Sequence, residues 1–402
     1  MAKNNLNIIY DGQHHIVLFG KKGSGKTTLF RHLIRDNMKT VHSTVHGATV
    51  GICNLGRVGP VVLIDTADLN GAAELDLPAE ERVDRTTRMH DIIRRADVAM
   101  YVTDVQEFDR TAYLKDKAWL DRNMIPHLLI FNRCDDSYAV DIARYKTEYP
   151  EAVFLSANTP EAISLLRMRL TQMVLNIEIN ETPLIPEKLV KAGDYVVILT
   201  HNSGSTPPTF RANLIPELLE RGVHCVVTPE NTLDKLLEEL PHIDLVVTFA
   251  RCFKKFKNLR EDIRLTSYSM LYGKQCNLLE TFAEGAKAVH KLNGSSRVLI
   301  VSSSDFLHEN SDTGRIRIPR ELRRVAGESL RIDYLSGGDL PLDLEKYDLV
   351  VHYLDSSMTQ RAVQARAAMC REAGVPVATY GTILAELNGI LDRCVRVLQD
   401  CD

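Results

Sequence analysis

The run Gly20-Lys21-Lys22-Gly23-Ser24-Gly25-Lys26-Thr27 restricts this chain more than any other stretch. It fits the pattern G-x-x-x-x-G-K-[ST], and its flanks suit that pattern. His15–Phe19 before it reads as a buried strand, and the residues from Thr28 to Ile34 read as an amphipathic helix. A strand that turns through glycines into a helix gathers backbone N–H groups around one point, at the positive end of the helix dipole. Such a cradle takes phosphate. Lys26 is expected to reach the β- and γ-phosphates, and the Thr27 hydroxyl to ligate Mg²⁺. The phosphate-facing set is Gly20, Lys21, Lys22, Gly23, Ser24, Gly25, Lys26, Thr27 and Thr28. The bland alternative is a Gly-rich turn between a strand and a helix, which the spacing disfavours.

A length of 402 residues suggests two to four domains with ample core. Apolar residues at 45% and charged residues at 25% are ordinary for a soluble globular chain. The net charge of −4 argues against nucleic acid as a partner. No apolar run approaches membrane-spanning length, and Met1-Ala2-Lys3-Asn4-Asn5 lacks the apolar core of a secretion signal. Eight scattered cysteines include no C-x-x-C pair. The expectation is a cytoplasmic protein with reduced thiols.

Strand-like runs alternate with helix-like stretches throughout, which implies α/β layers with mostly parallel sheets. The first part carries strands at His15–Phe19, Val61–Asp65, Val98–Val105, His127–Asn132 and Ala152–Ser156. The polar stretch Asn180-Glu181-Thr182-Pro183-Leu184-Ile185-Pro186 reads as a linker. Strands at Tyr195–Thr200, His224–Thr228 and Leu245–Phe249 follow. The third part has strands at Val298–Ser302, Leu330–Leu335, Leu349–Leu354 and Val375–Tyr380. Long helices are expected over Leu271–Leu292 and Thr359–Glu372. Three domains result, at 1–178, 183–262 and 265–402, with no short-period repeat.

Asp65 ends the strand Val61-Val62-Leu63-Ile64, a position suited to holding Mg²⁺ through water. Asn132-Arg133-Cys134-Asp135 also ends an apolar strand and resembles the N-K-x-D guanine motif. Asp135 would accept two hydrogen bonds from guanine, a donor pair that adenine lacks. Ser156-Ala157-Asn158, after the next strand, resembles the loop that backs the guanine. GTP or GDP with Mg²⁺ is therefore the expected ligand set. Thr49, between the first helix and the second expected strand, is the candidate switch threonine sensing the γ-phosphate; an ordinary loop threonine is the other reading. Lys26, Thr49 and Asp65 make up the expected catalytic set, and Thr27, Thr49 and Asp65 the Mg²⁺ set.

With Gly59-Pro60-Val61-Val62-Leu63-Ile64-Asp65-Thr66-Ala67, this motif set resembles the Era/TrmE-like GTPases. Further stretches extend the likeness over nearly the whole chain. They are Gly193-Asp194-Tyr195-Val196-Val197, Asp244-Leu245-Val246-Val247-Thr248, Leu265-Thr266-Ser267-Tyr268-Ser269-Met270-Leu271, Gly314-Arg315-Ile316-Arg317-Ile318-Pro319-Arg320-Glu321-Leu322-Arg323 and Ala373-Gly374-Val375-Pro376-Val377-Ala378-Thr379-Tyr380-Gly381. The chain is similar to the [FeFe]-hydrogenase H-cluster maturation GTPases, the HydF family. That resemblance implies an N-terminal GTPase domain, a middle dimerisation domain forming a homodimer, and a C-terminal iron–sulfur domain. It also implies a scaffold that assembles the di-iron subcluster and delivers it to a metalloenzyme partner.

The chain departs from the family pattern of C-x-H followed by H-C-x-x-C. His352 matches the family histidine, but Tyr353 replaces a cysteine, Ser356 or Asp355 stands for the last, and Asp305 lies near the first. Cluster iron needs soft thiolates, so a family-type [4Fe–4S] cluster is not expected. Cys276, Cys370, Cys394 and Cys401 do not rebuild the spacing. Two readings of the region stay open: a hard-ligand metal site of His308, His352 and Asp355 or Asp305, or a polar pocket of satisfied histidines. In the GTPase part, Asp68 replaces the glycine whose N–H meets the γ-phosphate, and Gly23 stands where cation-dependent relatives carry asparagine. Arg133 replaces the lysine of N-K-x-D. Slow hydrolysis with little K⁺ stimulation is expected. The functional expectation is a GTP-dependent scaffold in hydrogenase maturation. The alternative is a catalytically inactive paralogue that binds a partner.

Overall fold

A computed structural model describes residues 13–34, 40–45, 48–66, 90, 92–134, 139–179, 182–200, 213–240, 242–256, 260–302, 316–336, 340–341, 343–353 and 358–401. The chain forms two compact units, Met1–Glu181 and Thr182–Asp402.

The first unit runs β1 (His15–Phe19), α1 (Lys26–Ile34), β2 (Thr40–Val45), β3 (Ala48–Asn54), β4 (Pro60–Asp65), β5 (Val98–Asp104), α2 (Arg110–Arg122), β6 (His127–Asn132), α3 (Ala139–Glu148), β7 (Val153–Phe154) and α4 (Pro160–Ile179). Its sheet has the order β2-β3-β4-β1-β5-β6-β7. The strands from β4 to β7 are parallel, while β2 and β3 are antiparallel additions at one side. Alternate residues of the central strands feed two cores. Leu18, Met100 and Ile130 pack with Leu29 and Leu33 of α1 and Leu166 and Leu170 of α4. Phe19, Tyr101 and Phe131 pack on the other face with Tyr113 and Leu120 of α2. Burial on both faces explains why these strands are continuously apolar.

Neither β2 nor β3 is among the strands expected from sequence. Their residues, Thr-Val-His-Ser-Thr-Val and Ala-Thr-Val-Gly-Ile-Cys-Asn, are mixed in polarity. β3 is buried on both faces, with Val50 in one core and Cys53 in the other, but Thr49 and Gly51 interrupt its apolar residues, so it gives a weak apolar signal. The expected strand Ala152–Ser156 shortens to β7.

The second unit runs β8 (Tyr195–Thr200), α5 (Ile215–Glu220), β9 (His224–Pro229), α6 (Leu233–Glu239), β10 (Leu245–Thr248), α7 (Phe253–Phe256), β11 (Arg264–Ser267), α8 (Tyr268–Gln275) and α9 (Leu279–Lys287). It continues with β12 (Arg297–Ser302), α10 (Ile318–Ala326), β13 (Arg331–Ser336), β14 (Leu349–Tyr353), α11 (Gln360–Glu372), β15 (Val377–Thr379), α12 (Tyr380–Leu387) and α13 (Leu391–Gln399). It holds two four-stranded parallel sheets, ordered β11-β10-β8-β9 and β13-β12-β14-β15. The two orders are the same plan.

That plan recurs in detail. Asp244-Leu245-Val246-Val247 and Asp348-Leu349-Val350-Val351 open the third strand of each sheet. Each aspartate accepts the backbone N–H that starts the first strand: Tyr195 N to Asp244 Oδ2 and Arg297 N to Asp348 Oδ2, both at 2.8 Å. Each fourth strand runs straight into a helix capped by its last residue, Ser267 or Thr379. The halves then exchange helices. The helix α9 packs on β15, and α13 packs on β11. Arg393 of α13 donates to the Ile263 carbonyl at 2.7 Å, just before β11. A repeat this widely spaced leaves no short-period pattern in the sequence, and the exchange ties both sheets into one apolar core. The sheet of the middle part also runs past the expected boundary at 262, because β11 is its edge strand.

The expected helix Leu271–Leu292 is broken. Asn277 adopts φ 56°, and Leu278 N donates to the Gly273 carbonyl at 2.8 Å, closing α8 with a left-handed cap. Tyr380, expected to end a strand, begins α12.

Candidate functional site

The phosphate cradle forms where β1 gives way to α1. Glycine is needed at position 25, where φ is +91° and a Cβ would run into the Asn132 amide. Lys26 is buried, and its Nζ donates to the Gly20 and Lys21 carbonyls, both at 2.7 Å. Thr27 Oγ1 donates to Asp65 Oδ2 at 2.6 Å. A hydroxyl and a carboxylate this close form a pair of hard oxygen donors, which suits Mg²⁺. Lys21, Lys22, Gly23, Thr27 and Thr28 are exposed, whereas Ser24 is buried.

Thr49 lies within β3 rather than in a loop, directly across the antiparallel ladder from Asp65. Residues opposite each other share a sheet face, so Thr49 and Asp65 are neighbours. Its place in a paired strand corrects the expected loop position.

The base side of the site is stitched to the cradle. Asn132 Nδ2 donates to the Ser24 carbonyl at 2.9 Å, and its Oδ1 accepts from Ala157 N at 3.0 Å. The residue thus ties the β6 end, the cradle and the loop after β7 into one piece. Arg133, at φ 60°, donates through Nη1 to Asp104 Oδ2 at 2.8 Å and through Nη2 to the Gly23 carbonyl at 3.0 Å. Ser156 and Asn158 flank the buried Ala157, half-buried and exposed respectively. Asp135 and Asp68 lie outside the described residues.

Sequence reasoning missed Asp104, the carboxylate that holds Arg133. It ends β5 as Asp65 ends β4, a carboxylate closing an apolar run, so the signal was present. Its Oδ1 also accepts from Gln106 N at 2.9 Å.

In the second unit, His352 sits on β14 between Val301 and Thr379. It is 1% exposed, and neither ring nitrogen has a hydrogen-bond partner among the described residues. Burial, with the charge of Arg366, holds its pKa well below the ordinary value. Arg366 is itself 1% exposed and donates to Met358 Sδ at 3.2 Å. His308, Asp305, Asp355 and Ser356 lie outside the described residues. Among the described residues, no group of three or more His, Cys, Asp or Glu could hold a metal ion. No disulfide joins any of the eight cysteines. Burial pushes the Cys370 and Cys394 thiols up to about 12. No helix among the described residues is long and apolar enough to cross a membrane.

Three family descriptions match the chain. They are a 50S ribosome-binding GTPase over residues 15–133, a hydrogen maturase F dimerization domain over 185–276 and a hydrogen maturase F tetramerization domain over 280–397. Solved structures resemble the chain at low identity. Translation elongation factor SelB from Methanococcus maripaludis, in complex with the GTP analogue GppNHp, is 18% identical over 41% of this chain, with a TM-score of 0.32. This chain spans only 35% of that protein. The G domain of the T. maritima FeoB iron transporter is 20% identical, covering 40% of this chain and 99% of that domain, with a TM-score of 0.32. A variant of Aquifex aeolicus Era bound to GDP and AlF4⁻ is 14% identical over 58% of this chain and 99% of its own, with a TM-score of 0.33. No curated protein matches the chain.

Proposed function

The chain belongs to the hydrogen maturase F family, and from that premise we propose that it is a guanine-nucleotide-dependent scaffold of metallocofactor maturation. In this reading it hydrolyses GTP slowly and holds no family-type [4Fe–4S] cluster. The observation that carries the nucleotide part is the Thr27–Asp65 contact at 2.6 Å beside a buried Lys26.

Bound phosphates would draw Lys26 Nζ away from the Gly20 and Lys21 carbonyls, exchanging two neutral acceptors for a charged one. Thr27 and Asp65 would hold Mg²⁺, which neutralises charge on the phosphate oxygens when bound. Thr49, across from Asp65, is the residue we assign to sensing the γ-phosphate. Asp135 would read the guanine. Asp68, in place of the family glycine, would set its carboxylate against the γ-phosphate and slow turnover. The matched dimerization and tetramerization descriptions support self-association, which we read as a homodimer that works in the cytoplasm. Tyr353, which cannot supply a thiolate, supports a chain without the cluster.

Calorimetry with GTP, GDP and ATP in Mg²⁺ tests the reading. The expected result is binding of GTP and GDP but not ATP, with guanine preference lost in Asp135→Ala. Equal binding of ATP and GTP by the unmodified protein would overturn it. Anaerobic reconstitution with iron and sulfide tests the second claim, which a stoichiometric cluster signal would refute.

A further inference from the structure

Two side chains grip consecutive carbonyls of the phosphate cradle from its base side. Arg133 Nη2 holds the Gly23 carbonyl at 3.0 Å, and Asn132 Nδ2 holds the Ser24 carbonyl at 2.9 Å. In a trans peptide the carbonyl and the N–H of one plane point in opposite directions. Drawing the Gly23 carbonyl outward therefore turns the Ser24 N–H inward, and drawing the Ser24 carbonyl outward does the same for the Gly25 N–H. The Ser24 N–H does face the inside of the loop, at 3.3 Å from the Lys21 carbonyl, which also accepts Lys26 Nζ. These are the amides a phosphate would meet.

The two grips are anchored differently. Asn132 is buried and is fixed through Ala157 as well. Arg133 is a long side chain with half of its surface in water. A guanidinium is a planar fork, so fixing one Nη fixes the direction of the other. Asp104 does this. Its carboxylate is buried, and Oδ2 takes Nη1 at 2.8 Å, leaving Nη2 aimed at Gly23. Without the carboxylate, Arg133 would be free to turn out to solvent.

We propose that Asp104 is a positioning residue for phosphate binding, acting through Arg133 on the Gly23–Ser24 peptide of the cradle. The inference rests on the nucleotide reading above and adds to it the requirement that an arginine at position 133 be held by a carboxylate at the end of β5. Asp104 also accepts from Gln106 N and so shapes its own turn. That structural role would act whatever residue stood at 133, which separates the two roles experimentally.

The test is a double-mutant cycle on GDP affinity, measured by calorimetry on the full chain with Mg²⁺. Asp104→Asn keeps an acceptor for Gln106 and removes the charge. It should weaken GDP binding about tenfold, the scale of one charged hydrogen bond. Arg133→Met should weaken it similarly. In the Arg133→Met background, Asp104→Asn should change affinity by less than about twofold, because nothing is left to relay. Asp104→Ser gives the same comparison should the asparagine variant fold poorly. Equal losses in both backgrounds would make Asp104 a structural residue only and overturn the inference. So would unchanged affinity in Asp104→Asn. Failure of the unmodified chain to bind GDP would instead overturn the nucleotide reading itself.

Discussion

Gly285 of α9 lies against the backbone of Val377 in β15, so close that a Cβ on it would run into the Val377 carbonyl. The two residues belong to opposite halves of the second unit. Their contact is where the exchanged helix meets the sheet it covers, and only a residue without a side chain permits it.

Gly285→Ala should therefore destabilise the whole second unit. Overpacking of this kind costs about 1–3 kcal/mol. Denaturant unfolding of residues 182–402 should show one transition, displaced to lower denaturant by the substitution. Two separate transitions, with only one displaced, would show that the halves are independent despite the exchange.

Lys26→Ala should remove most of the affinity for GDP and GTP. Its ammonium is the buried cation of the cradle and already lies against the Gly20 and Lys21 carbonyls at 2.7 Å. Loss of one charged partner is expected to cost at least about 1.5–3 kcal/mol. Titration with a fluorescent guanine nucleotide measures this, and near-normal affinity would place the phosphates elsewhere.

Gly25→Ala should also lose nucleotide binding, by a different route. The added methyl would meet the Asn132 amide and force it off the Ser24 carbonyl. Asn132→Ala in the same background should then cause little further loss. Undiminished binding in Gly25→Ala would mean that Asn132 does not brace the cradle.

Asp116, on α2, should make the first unit less stable as pH rises. Desolvation raises its carboxyl from 3.8 to about 6, with Lys115 opposing the shift. The folded form thus favours the protonated acid. The associated stability is fully present below 3.8 and is lost as pH rises through about 6. Asp116→Asn should raise the thermal midpoint at pH 7.5 and flatten its fall between pH 4 and 6. An unchanged pH profile would show that the group is better solvated than its burial implies.

Potassium should have little effect on turnover, because Gly23 offers no side-chain amide to hold the ion. Turnover in KCl and NaCl at equal ionic strength checks this. A strong preference for K⁺ would mean that another group has taken over that role.

The α/β class, the GTPase fold and the family were all legible in the sequence, because each rests on local signals. Continuous apolar strands such as Val98–Asp104, and a glycine loop between a strand and a helix, keep their meaning whatever surrounds them. Other features were decided only by tertiary structure. The mixed polarity of Ala48–Asn54 becomes a strand because β4 offers an edge to pair with, which also brings Thr49 opposite Asp65. The repeat linking Asp244 to Asp348 emerges when two sheets with the same strand order are seen in one core. Arg133 looks in sequence like a mild substitution, and its dependence on Asp104 exists only because β5 and β6 end side by side. Periodicity and motif spacing report what a residue does with its near neighbours along the chain. Which distant residue completes a hydrogen bond, or which backbone a glycine must admit, depends on pairings that the chain makes only once folded.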